Sequence, residues 1–340
     1  MKALVYTGPK KVEVQDVPVP EGRSGQAKVR MRFCGVCGTD IGIFAGKHPR
    51  AKAPLVLGHE FVGAVEEIKD GSGRFAPGDR VVAYPLLSCG HCLPCRTGQP
   101  HVCETLKLIG IDRDGGMADY AWIDEDVLFK VPDTVSDEIA ALVEPLAVVV
   151  RSLHQARFNL LDTTVVTGAG PIGVLTAIVL KHSGASSIVI SDVDEARLGL
   201  CREFGFETVN VGQTSLVDYI GESTGGEGVD IVFECSGVAN AAAEMTKIAR
   251  VGGTICMTGI HKEPRAVDLR DMNFKEQILV GSRVYTLREF GMSVAYAETL
   301  AADLEKVITQ KVPLSGSASV FDMIADPDVN AVKVLVDCQA

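Results

Sequence analysis

The sequence predicts an α/β chain of two domains: an antiparallel, barrel-like β domain, then a doubly wound parallel sheet covered by helices. Three observations carry this expectation. The chain has 340 residues, more than one hydrophobic core comfortably serves. Its texture changes near residue 150, from short, punctuated strand-like runs to apolar strands alternating with helical segments. A glycine-rich turn of the form G-x-G-x-x-G, residues 168–173, stands where one such strand gives way to one such helix.

Taken in order, residues 28–33, 61–68 and 80–84 read as strands of the first domain, with Pro77, Gly78 and Asp79 supplying a turn between two of them. Beyond residue 150, apolar runs at 165–166, 187–190, 230–233, 253–257 and 277–280 alternate with helical segments, the pattern of a parallel sheet buried on both faces. From residue 288 the period is helical again, and a closing strand at 331–336 reads as half-buried. No repeat and no low-complexity linker interrupts the chain.

The formal net charge of −11 offers no cationic face for phosphates, so no nucleic-acid partner and no anionic membrane surface is expected. Residues 163–180 carry no charge over eighteen positions, a marginal length for a membrane span. Three glycines and a proline inside that run point instead to a buried strand, a tight turn and a buried helix. The amino-terminal residues 1–6 run straight into a strand-like pattern without a secretory signal. A cytoplasmic location is expected, and no retention or import signal is evident.

Four of the ten cysteines, Cys89, Cys92, Cys95 and Cys103, fall within fifteen residues as C-x2-C-x2-C-x7-C. Four thiolates at this spacing suit one tetrahedral zinc that leaves no position for substrate, a structural staple for the lobe at about 86–106. The rival is a disulfide framework, which belongs to oxidising compartments and short, cysteine-dense chains. Neither condition holds here. Of the other six, Cys34, Cys201, Cys235, Cys256 and Cys338 mostly lie in apolar runs and read as small core residues.

The turn Gly168-Ala-Gly170-Pro171-Ile172-Gly173 is a candidate dinucleotide site. The first glycine permits the turn, the second lets backbone approach a pyrophosphate, and the third allows close packing of helix on strand. Asp192 lies nineteen positions after Gly173, at the end of the next strand. An acid there accepts hydrogen bonds from the ribose hydroxyls of NAD and repels a 2′-phosphate. Its plainer reading is a helix N-cap, a role open equally to Asp194. Arg197 nearby is placed to soften the repulsion.

A second constellation is dispersed: Cys37 in Cys34-Gly-Val-Cys37-Gly-Thr39-Asp40, His59 and Glu60 in Leu57-Gly-His59-Glu60, and Glu144 in Val143-Glu144-Pro145. Cysteine, histidine and carboxylate are the ligands of an open, catalytic zinc. Each also has an ordinary reading, as core thiol, surface pair or cap.

Together, the cysteine cluster, Cys-Gly-Thr-Asp, Gly-His-Glu, Val-Glu-Pro-Leu-Ala and Gly-Ala-Gly-Pro-Ile-Gly resemble, in order and spacing, the zinc-containing medium-chain dehydrogenases, across essentially the whole chain. The resemblance is nearest to the branch of polyol (sorbitol-type), threonine and sugar-acid dehydrogenases. It implies a GroES-like β-barrel catalytic domain at 1–147, a Rossmann NAD-binding domain at 148–287, and a return to the catalytic domain at 288–340. It further implies two zinc ions per chain, one structural and one catalytic. Cys37, His59 and Glu60 are implied as catalytic-zinc ligands, with Glu144 as a fourth ligand or the holder of a zinc-bound water. Cys235, Thr258, Gly259, Ile260, Ser282 and Arg283 are implied near the cofactor, and Thr39 as the start of a proton relay. Where relatives place a histidine as the outer relay member, this chain has Gly42, so a shorter or wetter relay is expected, with His48 as a conceivable alternative.

The activity so implied is hydride transfer from a secondary hydroxyl of a pentitol or hexitol to NAD, giving a ketose. Oxidation of a sugar acid or of threonine is the alternative within the family, and a non-catalytic zinc and nucleotide sensor the alternative outside it. Arg283 points to a polar, many-hydroxyl substrate without choosing its charge, or else anchors cofactor; Phe44 and Tyr285 are the other pocket candidates. A homo-dimer or homo-tetramer is expected, with the run at 277–280 as a pairing edge.

Overall fold

The computed structural model describes residues 1–326 and 328–340. It resolves into two compact units, Met1–Ala147 with Thr286–Ala340, and Val148–Tyr285. The first division falls inside the helix Val143–Ala156, and the second unit ends at Tyr285, just short of the boundary expected at 287.

The larger sheet of the first unit runs, in spatial order, Leu128–Lys130, Arg80–Ala83, Glu60–Lys69, Gln26–Gly35, Lys333–Asp337 and Ile308–Pro313, with Tyr120–Asp124 also paired to Gln26–Gly35. All these pairs are antiparallel except the last, between Ile308–Pro313 and Lys333–Asp337. Strand Gln26–Gly35 shows why it is central. Ala27, Val29 and Met31 are completely buried while Arg30 and Arg32 are exposed, the period of two that one buried face requires. A second sheet of Lys11–Asp16, Lys2–Gly8 and Leu55–Val56 completes the β unit.

The closing strand departs from the half-buried expectation. Lys333, Val334, Leu335 and Val336 are all buried, because the strand is covered on both faces and Lys333 finds a buried partner described below.

In the second unit six strands lie parallel in the order Glu207–Asn210, Ser187–Asp192, Thr163–Thr167, Val229–Glu234, Ala249–Met257 and Ile278–Gly281. Chain order reverses between Thr163–Thr167 and Val229–Glu234, and open α/β sheets bind ligands outside the carboxyl ends of strands at such a point. Val165, Val232 and Ile255 of three adjacent strands are buried against Ile220 and Met245 of flanking helices. Burial of each such side chain contributes roughly 1.5–3 kcal/mol. The uncharged run at 163–180 resolves into the strand Thr163–Thr167, the glycine turn and the helix Pro171–His182. No helix among the described residues is long and apolar enough to cross a membrane.

Candidate functional site

All ten cysteines are free thiols, which removes the disulfide alternative. In the lobe, the sulfurs of Cys92 and Cys95 are 3.4 Å apart, those of Cys92 and Cys103 3.8 Å, and those of Cys89 and Cys95 4.0 Å. Sulfurs bound to one zinc at about 2.3 Å in a tetrahedron sit about 3.8 Å from one another. The four cysteines therefore fit that ion. Amide donors reinforce this: Cys89 N donates to Cys103 Sγ at 3.3 Å and Cys92 N to Cys89 Sγ at 3.4 Å. Amide hydrogen bonds from His91 and Cys92 bring Cys89 down to about 6, whereas burial and the neighbouring sulfurs push Cys95 up to about 11. Four thiolates this close need a cation.

The dispersed constellation also converges. Ligand atoms of Cys37, His59 and Glu60 lie within 4.8 Å of one another, with His59 and Glu60 buried. Strand pairing explains how. Gly35 is opposite Glu60 and Cys34 opposite Phe61, so the end of strand Gln26–Gly35 delivers Cys37 beside the start of Glu60–Lys69. Gly58 precedes His59 at φ +97°, and a Cβ there would collide with Cys34 Sγ and come within 2.8 Å of Met117 Cγ, so only glycine turns the chain here. Cys37 caps the helix Gly38–Phe44, and Asp40, completely buried, accepts from Cys37 N at 2.9 Å. The other Asp40 oxygen is 4.0 Å from His59 Nδ1. Burial opposes charge on His59, but the Cys37 sulfur, the Asp40 carboxylate and Glu144 outweigh it and hold the imidazole well above its usual pKa. A buried cluster this rich in acids fits a metal cation with cysteine, histidine and carboxylate ligands.

One member was not foreseen. Lys333 is 1% exposed and ion-pairs with Glu60 Oε2, while its Nζ also donates to Val36 O at 3.3 Å. Burial opposes its charge, but Glu60 and Cys37 raise its pKa. A Cβ on Gly35 would run into the Glu60 carboxylate and reach 3.0 Å from Lys333 Nζ, so the glycine makes room for the pair. Glu144 is buried in the first turn of its helix and acts electrostatically on His59 and Lys333, but lies outside the converging ligand set.

Thr39 is half-buried in the first turn of the Cys37-capped helix. One ring face of Phe44 stacks on Phe321, with centroids 4.7 Å apart and 11° between planes. His48 Nδ1 accepts from Ala51 N at 3.2 Å and Arg50 N at 3.4 Å. Its proton therefore sits on Nε2, and the lone pair a proton acceptor needs is already engaged.

In the second unit, Gly168 takes φ +94° after the strand, and a Cβ on Gly173 would overlap Gly168 O. A Cβ on Gly170 would meet nothing within 4 Å, leaving its surface open for a close ligand. Pro171 begins the helix that Gly170 caps, and Ile172 follows in its first turn. Asp192 Oδ2 accepts from Ala169 N at 2.7 Å, and Oδ1 from Val193 N at 2.7 Å and Asp194 N at 3.0 Å. The acid thus ties its strand to the glycine turn. Capping of the next helix falls to Asp194, which accepts from Ala196 N and Arg197 N and holds Arg197 Nε at 3.3 Å.

Thr258 Oγ1 donates to Ser152 Oγ at 3.1 Å, and Ser152 Oγ lies 3.3 Å from Ser282 Oγ. Burial drives the Cys235 thiol well above its usual pKa. Ile260, beside Gly259, is 81% exposed. Arg283 is exposed, whereas Tyr285 is completely buried. Val284 between them takes φ +45°, a left-handed turn that a β-branched residue adopts at a cost of about 1–3 kcal/mol; it separates the outward arginine from the inward tyrosine.

Comparison with known proteins decides the family. The profile of the alcohol dehydrogenase GroES-like domain matches residues 23–133, and that of zinc-binding dehydrogenase matches 171–302. The chain is 35% identical to the 2-dehydro-3-deoxy-L-galactonate 5-dehydrogenase of Pseudoalteromonas atlantica over 341 residues, covering 100% of this chain and 99% of that one. The chain belongs to the zinc-binding alcohol dehydrogenases. It is also 36% identical to the L-threonine 3-dehydrogenase of Pseudoalteromonas translucida over 315 residues, covering 91% of this chain and 92% of the relative. Its fold matches the crystal structure of 2R,3R-butanediol dehydrogenase from Bacillus subtilis with a TM-score of 0.92 at 28% identity, over 99% of each chain.

As a dehydrogenase of this family, the chain is an NAD-dependent, zinc-containing enzyme with a GroES-like and a Rossmann domain. Sequence reasoning missed Lys333 in this dehydrogenase. A lysine inside an otherwise apolar strand was the available signal, since a charge there requires a partner.

Proposed function

We propose that this dehydrogenase oxidises a secondary hydroxyl of a polyhydroxylated, open-chain substrate with NAD as hydride acceptor. The observation that carries the reading is the convergence of Cys37, His59 and Glu60, a ligand set that leaves a position for a substrate oxygen. Zinc bound there supplies the Lewis acidity that lowers the pKa of a hydroxyl. Asp40 fixes Cys37 through its amide and faces His59, so the ligands are held before substrate arrives. Thr39 takes the hydroxyl proton as it hands its own to water, a transfer in which neither Gly42, which has no side chain, nor His48, whose Nδ1 already accepts backbone amides, takes part. Glu144, outside the converging set, acts through water and not as a direct ligand. Asp192 favours NAD over NADP by repelling a 2′-phosphate.

Within this class we favour a sugar acid over the neutral pentitol or hexitol expected from sequence. The relative named for 2-dehydro-3-deoxy-L-galactonate supports a carboxylate-bearing substrate, and exposed Arg283 suits one. A second reading, oxidation of L-threonine, is favoured by the relative of that name. A panel of aldonates, deoxy-ketoaldonates, polyols and L-threonine with NAD, followed by NADH absorbance, tests the choice. Turnover on sugar acids supports it, and turnover on L-threonine alone overturns it.

The sheet edge Ile278–Gly281 supports a homo-oligomer. Ile278 and Leu279 are 47% and 40% exposed on a strand with one neighbour, and such an edge pairs with a second copy unless protected. The thiol-rich zinc sites suit a reducing cytoplasm.

A further inference from the structure

Glu234, the last residue of strand Val229–Glu234, is completely buried where strand order reverses. Its carboxylate gathers the loops at that end of the sheet. Oε1 accepts from Ser236 N at 2.9 Å and Gly237 N at 2.8 Å, from the Ser236 hydroxyl, and from Thr167 Oγ1 at 3.5 Å on the neighbouring strand. Oε2 accepts from His261 Nε2 at 2.9 Å, in the loop that follows strand Ala249–Met257. Its backbone carbonyl accepts from Thr258 N at 2.9 Å and Gly259 N at 2.7 Å. A Cβ on Gly259 would sit 2.8 Å from Oε2 and 2.6 Å from Gly237 N, so the loops touch only because that residue is glycine.

The division of labour along the sheet gives this knot a task. The glycine turn after Thr163–Thr167 suits the pyrophosphate, and Asp192, at the end of the next strand outward, suits the adenosine ribose. The ends of Val229–Glu234 and Ala249–Met257, on the opposite side of the reversal, are then left for the nicotinamide half. The 258–261 loop, including exposed Ile260, belongs to that half, and its only side-chain strap to Glu234 among the described residues is His261.

We infer that Glu234 and His261 form a positioning pair that pre-sets the 258–261 loop for the nicotinamide half of the dinucleotide. The pair holds the loop in its binding shape before the cofactor arrives, so its loss is felt in cofactor affinity and not in the chemistry at the metal. The inference rests on the reading of the second unit as the NAD site, and NADH binding by the wild-type enzyme tests that reading separately.

The experiment uses the zinc-loaded enzyme and three variants, His261→Ala, His261→Gln and Glu234→Gln, with NADH affinity read by cofactor fluorescence and KM and kcat by turnover. His261→Ala is expected to raise the NADH Kd and the KM for NAD roughly tenfold, as loss of a hydrogen bond to a charged group does. kcat at saturating NAD and the KM for the alcohol stay within about twofold on the same ground. His261→Gln, whose amide still donates to the carboxylate, recovers most of the affinity. Glu234→Gln weakens NADH binding at least as far; if it fails to fold, the two His261 variants decide alone. Wild-type NADH binding with an unchanged Kd in His261→Ala overturns the inference, as does a fall in kcat that glutamine does not repair.

Discussion

Lys333 Nζ donates to Glu60 Oε2 with both side chains essentially sealed from solvent, at 1% and 2% exposure. The lysine lies on the strand beside Gln26–Gly35 on one side, and the glutamate on the strand beside it on the other. Gly35, lacking a side chain, is the gap through which they meet. The consequence is a carboxylate, placed in the proposed metal-ligand set, whose charge is balanced before any metal binds.

Replacing Lys333 by methionine strands the Glu60 charge in the interior. Removing one partner of a buried pair costs about 3–5 kcal/mol, so the metal-free chain is expected to lose that much in urea unfolding. Lys333→Met with Glu60→Gln, which leaves no charge behind, recovers most of the loss. A single-variant loss below about 1 kcal/mol would show that the pair is solvated.

Gly173→Ala presses a methyl group against Gly168 O at the close crossing of helix and strand. The glycine turn must then open, and NADH affinity is expected to fall by at least about tenfold while both zinc sites, in the first unit, keep their metal. Titration of NADH fluorescence against zinc content checks both halves.

Asp192→Ser removes the carboxylate that repels a 2′-phosphate and also the anchor of the Ala169 amide. The ratio of kcat/KM for NAD over NADP should fall by roughly tenfold or more. A preference left intact would place ribose recognition elsewhere.

Burial and then the Arg50 charge lower the His48 pKa from its usual value near 6.5. Below about pH 6.5 the unfolded chain takes up a proton that the folded chain refuses, so this residue makes stability fall as pH drops through that value toward the lower folded pKa. His48→Gln is expected to flatten that part of the stability profile. It leaves the pH dependence of turnover without a lost imidazole step, because Nδ1 already accepts backbone amides. Loss of a step near neutrality in the variant would make His48 the outer proton acceptor after all.

The parts of the site readable in sequence are those whose chemistry is local. Cys89, Cys92, Cys95 and Cys103 close on one ion within fifteen residues, and the glycine turn needs only its own strand and helix. Cys37, His59 and Glu60 were recognisable as ligand types, but their meeting depends on the pairing of two strands, which spacing does not reveal. Lys333 was harder still. In an alternating run it reads as the outward residue, but that face of its strand is covered as well, and Lys333 meets Glu60 there. The burial of Tyr285 beside exposed Arg283 was no easier to read, because the chain turns between them through the left-handed φ of Val284, unusual for a β-branched residue. Glu234 lay unnoticed in an apolar strand because its partners come from two separate loops and a neighbouring strand.

If Cys37, His59 and Glu60 hold an open zinc in addition to the closed one in the cysteine lobe, the enzyme carries two separable ions. Zinc stoichiometry by elemental analysis of the wild-type enzyme and of His59→Ala tests it most directly. About two zinc ions are expected per wild-type chain and about one in His59→Ala, the remaining ion being lost only when Cys103 is also replaced. One zinc per wild-type chain, or two retained in His59→Ala, would contradict it.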